Sequence, residues 1–224
     1  NPVNDAAADD VWGQKGSFTT YIPNNGGLSA SSLSISSITG LDMDYQGNLW
    51  VVDSNNNRVL RFPKSAVNGG ASGISKTADF VLGQDSFTGN GQGDGVVMNR
   101  LWHPNQVKVD RAGNVFVMEQ NEPASGSLSR IIKYNAASIQ TARSQGKVTV
   151  SADVKIYPRP GAAVDPLWWG PTAMAIDEPR NGLWISLCKG VCYFYSFSSN
   201  SVTKIIHWGG NLRGIDIDSA GNVY

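Results

Sequence analysis

Two histidines, His103 and His207, and two cysteines, Cys188 and Cys192, are the only imidazole and thiol groups in the chain. The cysteines enclose Lys189, Gly190 and Val191. Three residues including a glycine read as a hairpin loop. Cysteines flanking such a loop can come within bonding range, so a Cys188–Cys192 disulfide is expected, the alternative being two unlinked thiols. Two thiols with no nearby histidine make an incomplete zinc shell. His103 lies on a loop before an apolar run, and His207 lies in a strand beside Trp208. Isolated in this way, each reads as a packing or hydrogen-bonding residue. Asp42-x-Asp44-x-x-Gly47-Asn48 and Asp216-x-Asp218-x-x-Gly221-Asn222 place two carboxylates on a tight turn. Calcium needs roughly six to eight oxygens, so these read as turns. Neither a nucleophile elbow, a phosphate loop nor a zinc-protease motif is present. Gly91 to Gly95 is glycine-rich, but no helix follows it. No cofactor is therefore expected; calcium or zinc would require further ligands.

The chain carries 18 basic and 18 acidic residues. It shows no basic stripe of the kind that grips nucleic acid and no acidic block. No run of 18 apolar residues marks a membrane span. Residues 1–10 are small and polar and read as an N-terminal segment ahead of a folded unit spanning 11–224.

What must position any site is a repeat. Its unit is an apolar alternation, an Asp, two or three residues, a Gly/Asn pair and a second apolar run. It occurs at Gly40–Val52 with Asp44, Gly47 and Asn48, and at Gln106–Met118 with Asp110, Gly113 and Asn114. It recurs at Ala173–Ile185 with Asp177, Asn181 and Gly182, the pair inverted, and at Gly214–Tyr224 with Asp218, Gly221 and Asn222. The alternation has the period of a strand. The Asp can accept backbone N–H groups inside the turn, and the glycine can supply positive φ. Each unit therefore predicts a β-hairpin. A third strand is expected within Asp53–Phe62, Ser129–Tyr134 and Val191–Tyr195. A fourth is expected at Val11–Gln14, Phe80–Gln84, Val154–Tyr157 and Ile205–Trp208. Four strands per repeat is the sequence form of a β-propeller blade. The fold class expected is all-β, a propeller of four-stranded antiparallel blades, with about three and a half blades here. Asn68 to Lys76 and Gly89 to Gly95 read as surface loops.

Gly47-Asn48-Leu-Trp-Val-Val-Asp53-Ser-Asn-Asn-Asn57-Arg58-Val59-Leu-Arg-Phe62 resembles the signature of NHL repeats. In that family a Gly-Asn turn leads to a strand, an Asp, Asn-Arg-Val and another strand. Val81-Leu-Gly-Gln84 and His103-Pro104 resemble NHL repeats of bacterial and extracellular proteins. The resemblance covers roughly residues 9 to 224. It is weak in the third unit, which has no Asp-Asn-Arg after its return strand. It implies a propeller with more blades than this chain supplies, completed by further sequence, a second chain or an oligomer. It also implies a structural, blade-bridging role for Arg58 and Arg130.

In a propeller the loops entering the innermost strands gather around the central channel. By register those positions are Thr39, Asn105, Thr172 and Arg213, with His103 adjacent and Trp102, Trp168 and Trp169 just upstream. Exposed tryptophans can stack on a sugar or grip a protein; the alternative is packing between blades. The resulting expectation is a secreted or extracellular binding scaffold for a protein or glycan. An enzyme of metal-dependent lyase or hydrolase type, with its site at the channel mouth, is one alternative. A structural subunit of a multi-chain assembly is the other.

Overall fold

The computed structural model describes residues 10–35, 40–68, 76–93, 97–119, 130–157, 171–187, 190–207, 209–210 and 212–224. Thr39, Trp168, Trp169, Cys188 and Trp208 lie outside them.

The described residues are mostly β, with two α-helices and one 3-10 turn, and their strands form three sheets. Sheet 1 contains β1 (Leu41–Met43), β2 (Leu49–Asp53), β3 (Arg58–Phe62) and β4 (Phe80–Leu82). Sheet 2 contains β5 (Pro104–Val109), β6 (Val115–Glu119), β7 (Arg130–Tyr134) and β9 (Val154–Ile156). Sheet 3 contains β10 (Pro171–Asp177), β11 (Gly182–Leu187), β12 (Val191–Ser196) and β13 (Ser201–His207). Within each sheet the strands pair antiparallel in chain order. One short strand breaks the pattern: β8 (Thr149–Val150) leaves the second unit and pairs in parallel with β4, so sheet 1 has a fifth strand.

The Asp turns form as expected. Asp44 Oδ1 accepts the N–H groups of Gln46 and Asn48 at 3.0 and 2.9 Å. Asp110 and Asp218 accept the N–H groups of Asn114 and Asn222, each at 2.8 Å. The turn asparagine then points its carbonyl at the next element. Asn48 Oδ1 accepts the Lys64 N–H, and Asn114 Oδ1 the Ala136 N–H, both at 2.9 Å. These are the starts of α1 (Lys64–Asn68) and α2 (Ala136–Ser144).

Each sheet is apolar on both faces, so it must be covered twice. Phe80, Leu82, Val52 and Val59 of sheet 1 pack on Val107, Val117, Ile132 and Tyr134 of sheet 2, with Ile139 and Ala142 of α2 closing the cluster. The other face of sheet 2, with Phe116, Met118 and Ile131, packs on Leu183, Ile185 and Tyr193 of sheet 3. The outer face of sheet 1 is covered by Leu33, Trp12 and Ala30 of the N-terminal part. That of sheet 3, at Trp184, Cys192 and Phe194, is covered by Ile215, Ile217 and Val223. Those last residues belong to the fourth hairpin, where Ile217 bridges Val223.

Two expectations need correction. Cys192 is a free, buried thiol, and no disulfide forms. The register explains why: Leu187 pairs with Val191, so the residue across from Cys192 is Ser186. Cys192 turns into the Trp184–Phe194 cluster instead. Second, Val11–Gln14 is not a paired strand; only Gln14 makes an isolated bridge, to Ser32. Of the loop expected at Asn68–Lys76, residues 69–75 lie outside the described residues; Asn68 ends α1 and Lys76 is buried.

Candidate functional site

The two ion pairs with both side chains fully buried are copies of one device. In sheet 1, β2 ends in Asp53 and β3 begins with Arg58, its cross-strand partner. Both side chains are fully buried, and Arg58 Nε donates to Asp53 Oδ2 at 2.6 Å. Asp53 also accepts the Ser34 N–H at 2.7 Å and the Asn56 amide at 2.8 Å. Arg58 donates onward to the carbonyls of Ser29 and Ser32 at 3.0 and 2.9 Å, and to that of Phe87. Sheet 2 repeats this with Glu119 and Arg130, also a cross-strand pair and fully buried. Glu119 accepts the Trp102 N–H at 2.6 Å, and Arg130 donates to the carbonyls of Val97 and Arg100 at 3.1 and 3.3 Å. Each ion pair therefore staples the loop that enters its own sheet. Burial pushes both carboxyls up, while the arginines and the loop N–H groups pull the other way. In sheet 3 the same pair of positions is Leu187 and Val191, the apolar departure visible in the third unit.

A seam of backbone contacts joins the first strands of the sheets. The Gly40 N–H donates to the Asn105 carbonyl at 2.8 Å. A Cβ on Gly40 would lie 2.8 Å from Gln106 Cα, so only glycine permits this approach. Asp42 Oδ2 accepts the Val109 N–H at 2.8 Å, and Gln106 Oε1 accepts the Met174 N–H at 2.7 Å. The Asp42-x-Asp44 carboxylates are thus spent on backbone N–H groups. Asp44 additionally holds the Asn48 amide and the Trp50 indole N–H. Among the described residues, no three His, Cys, Asp or Glu side chains cluster as metal ligands.

Of the residues expected at a channel mouth, His103 and Asn105 come together at the start of β5. His103 is exposed, with φ at 43°, and its N–H donates to Asn57 Oδ1 at 3.0 Å. Trp102 is half-buried. Thr172, at the start of β10, directs Oγ1 to the Ser186 carbonyl at 3.2 Å and lies 3.0 Å from its hydroxyl. Arg213 is exposed ahead of the fourth hairpin.

A further opening lies elsewhere. A groove of about 550 Å³ runs between α2, β8 and the loop before β5, lined by Asn99, Ser138, Thr141, Gln145, Lys147 and Ser151 among others. Its lining is rich in hydroxyl and amide groups, which can donate to and accept from a neutral polar ligand. It was not anticipated from the sequence. The local signal was the spacing of Ile139 and Ala142, the two residues of α2 that are buried.

No family model and no curated protein matches the chain. Among solved structures it is similar to Kuenenia stuttgartiensis hydrazine synthase, with a TM-score of 0.51 and 11% identity over 84% of this chain and 42% of that one. It is also similar to U3-55K, with a TM-score of 0.51 and 9% identity over 82% of this chain and 44% of that one. At such identities the likeness shows the fold alone, and the chain spans less than half the length of either structure. Matches extend to 482 solved chains, the mark of an architecture that hosts many functions rather than of one activity.

Proposed function

We propose that the chain is part of an NHL-type β-propeller that serves as an extracellular binding scaffold for a protein or glycan partner. The observation that carries this is the serial stacking. Three sheets of the same strand order lie face to face, their first strands stitched by Gly40–Asn105, Asp42–Val109 and Gln106–Met174. Such an arrangement suits blades set around an axis. Its charges support a scaffold role, because the two fully buried ion pairs hold loops in place. The groove beside α2 supplies the contact surface, and its hydroxyl and amide lining favours a glycan or an extended polar peptide.

The test is a glycan and peptide array on the immobilised chain, followed by titration of each hit against a Thr141→Trp variant. Thr141 is exposed on α2, so the bulky ring fills the groove without entering the core. Binding that falls at least tenfold in the variant supports the assignment. An undiminished affinity would move the site off the groove. Absence of any ligand, together with turnover of a small substrate, would replace the scaffold reading with an enzymatic one.

A further inference from the structure

An Asn-Gly dipeptide is a place where a chain can modify itself. The Gly nitrogen, once deprotonated, attacks the Asn side-chain carbonyl carbon, and glycine hinders this least because it has no Cβ. The N–Cγ bond forms, the Cγ–Nδ2 bond breaks, and the amide nitrogen leaves as ammonia with the proton that the glycine gave up. Water then opens the succinimide at either carbonyl, giving aspartate or isoaspartate. The chain holds Asn25-Gly26, Asn68-Gly69, Asn90-Gly91 and Asn181-Gly182. Gly69 lies outside the described residues. The other three sites sit in different surroundings.

Asn25 Nδ2 donates to the Gln14 carbonyl and to Thr20 Oγ1, each at 3.3 Å. A Cβ on Gly26 would fall 1.8 Å from Lys15 Cε, so the lysine stem lies against that glycine. Asn181 Nδ2 donates to Ser198 Oγ at 3.0 Å. Gly182 is buried in β11, paired with Asp177 on one side and Ser196 on the other. At both sites reaction must wait for a local opening. Asn90 and Gly91 are both exposed. Neither the Asn90 side-chain amide nor the Gly91 N–H bonds to a described residue. This loop is held by its carbonyls instead. The Asn90 carbonyl accepts Asn57 Nδ2 at 3.2 Å, and the Gly91 carbonyl accepts Gln84 Nε2 at 2.8 Å. The two reacting groups are free without any opening.

We propose that Asn90-Gly91 is a self-deamidation site whose isoaspartate product releases the hold of Asn57 on His103. Asn57 is buried, with φ at 53°. Its side-chain amide spans two partners, since Nδ2 donates to the Asn90 carbonyl and Oδ1 accepts the His103 N–H at 3.0 Å. In isoaspartate the main chain runs through Cβ and Cγ and is one atom longer. The former Asn90 carbonyl carbon ends as a carboxylate. The anchors to Asn57 and Gln84 fit the shorter chain, so the longer one cannot keep both. Arg100 meets the new charge: a Cβ on Gly91 would lie 3.1 Å from its Nη1, which donates to Gln84 Oε1 at 2.6 Å. A carboxylate is the stronger acceptor, and drawing Arg100 to it frees Gln84, whose Nε2 also bonds the Asn57 carbonyl at 2.9 Å. Asn57 thus loses support at its side chain and at its main chain. His103, itself at φ 43°, loses the acceptor that fixes it ahead of β5.

The test is timed incubation of the full chain at mildly alkaline pH, native and in urea, with each site followed by peptide mapping and mass spectrometry. Isoaspartate is told from aspartate by its resistance to an aspartate-specific protease. In the native protein Asn90 should convert at close to its rate in urea, whereas Asn25 and Asn181 should be slowed at least about tenfold by the opening they require. Hydrogen exchange at the His103 amide should quicken in step with isoaspartate at position 90. An Asn90→Gln variant keeps the main-chain carbonyl and cyclises far less readily, so its His103 exchange should stay constant through the same incubation. Exchange at β5 and β6 reports that both proteins remain folded. Protection of Asn90 equal to that of Asn25 and Asn181 would overturn the proposal. So would unchanged His103 exchange in the fully converted protein, or an equal rise in the Asn90→Gln variant.

Discussion

Replacing Asp53 and Arg58 by Leu and Val, singly and together, imposes on sheet 1 the pair that sheet 3 already carries at Leu187 and Val191. Asp53→Leu leaves the Arg58 guanidinium fully buried with no counter-charge. Removing one partner of such a pair costs about 3–5 kcal/mol. Arg58→Val strands the Asp53 carboxylate and also takes the donor from the carbonyls of Ser29, Ser32 and Phe87. The carboxyl can relieve itself by protonation, since burial already raises it. A raised folded-state pKa gives stability that is present below the unfolded value and lost as pH rises through the folded one. The Arg58→Val deficit should therefore shrink on acidification, whereas that of Asp53→Leu should not. The double variant restores charge balance but leaves the Ser34 N–H without its acceptor, a loss of about 1–3 kcal/mol. It should thus be more stable than either single variant, with a coupling of several kcal/mol where independent sites add to within about 0.5 kcal/mol. Urea unfolding of the four proteins gives the cycle directly, with hydrogen exchange at residues 29–34 reporting release of the loop. Additive costs, or a loss below about 1 kcal/mol in both single variants, would refute the staple.

Three further outcomes follow from the geometry. Gln106→Ala removes the acceptor of the Met174 N–H; it should cost about 1–3 kcal/mol and speed amide exchange at Met174 before that of β11. The Asp218 carboxyl is held below the usual carboxylate range, chiefly by the Asn222 side-chain amide. The fourth hairpin should keep this contribution above the usual carboxylate range and lose it as pH falls through the depressed value. NMR titration should show Asp218 moving upward in Asn222→Ala, and an unmoved titration would contradict the turn. Cys192 is buried and its thiol is raised by that burial, so alkylation should be slow in the native protein and fast in urea. Peptide mapping without reductant should recover Cys192 as a thiol, and a linked Cys188–Cys192 peptide would contradict the β11–β12 register.

What could be read from the sequence was local chemistry. The turns at Asp44, Asp110 and Asp218 form from carboxylates bonding N–H groups two to four residues away, so six or seven residues suffice to specify each. Arg58 and Arg130 were readable as structural from the NHL resemblance alone; that each opens a strand directly across from an acid ending the previous one came from the structure. The third unit's lack of Asp-Asn-Arg marked the place where the structure has Leu187 and Val191 instead of an ion pair. The rest depended on distant partners. Helix α2 has two buried side chains, and its first N–H is met by Asn114, 22 residues upstream. Without that helix the groove beside it had no signal. The disulfide expectation rested on local spacing alone, whereas Cys192 lies one position inside β12 across from Ser186, and Cys188 lies outside the described residues. Val11–Gln14 carried the sequence of an outer strand, but a strand also needs a neighbour.

The most direct test is a side-chain NOE map of the three sheet faces. Stacking in series predicts contacts from Phe80 and Leu82 to Val107 and Val117, and from Phe116 and Met118 to Leu183 and Ile185, with none between the sheet 1 and sheet 3 sets. Contacts from Phe80 or Leu82 directly to Leu183 or Ile185 would instead mean a two-layer sandwich, and would contradict the serial arrangement on which the proposed scaffold rests.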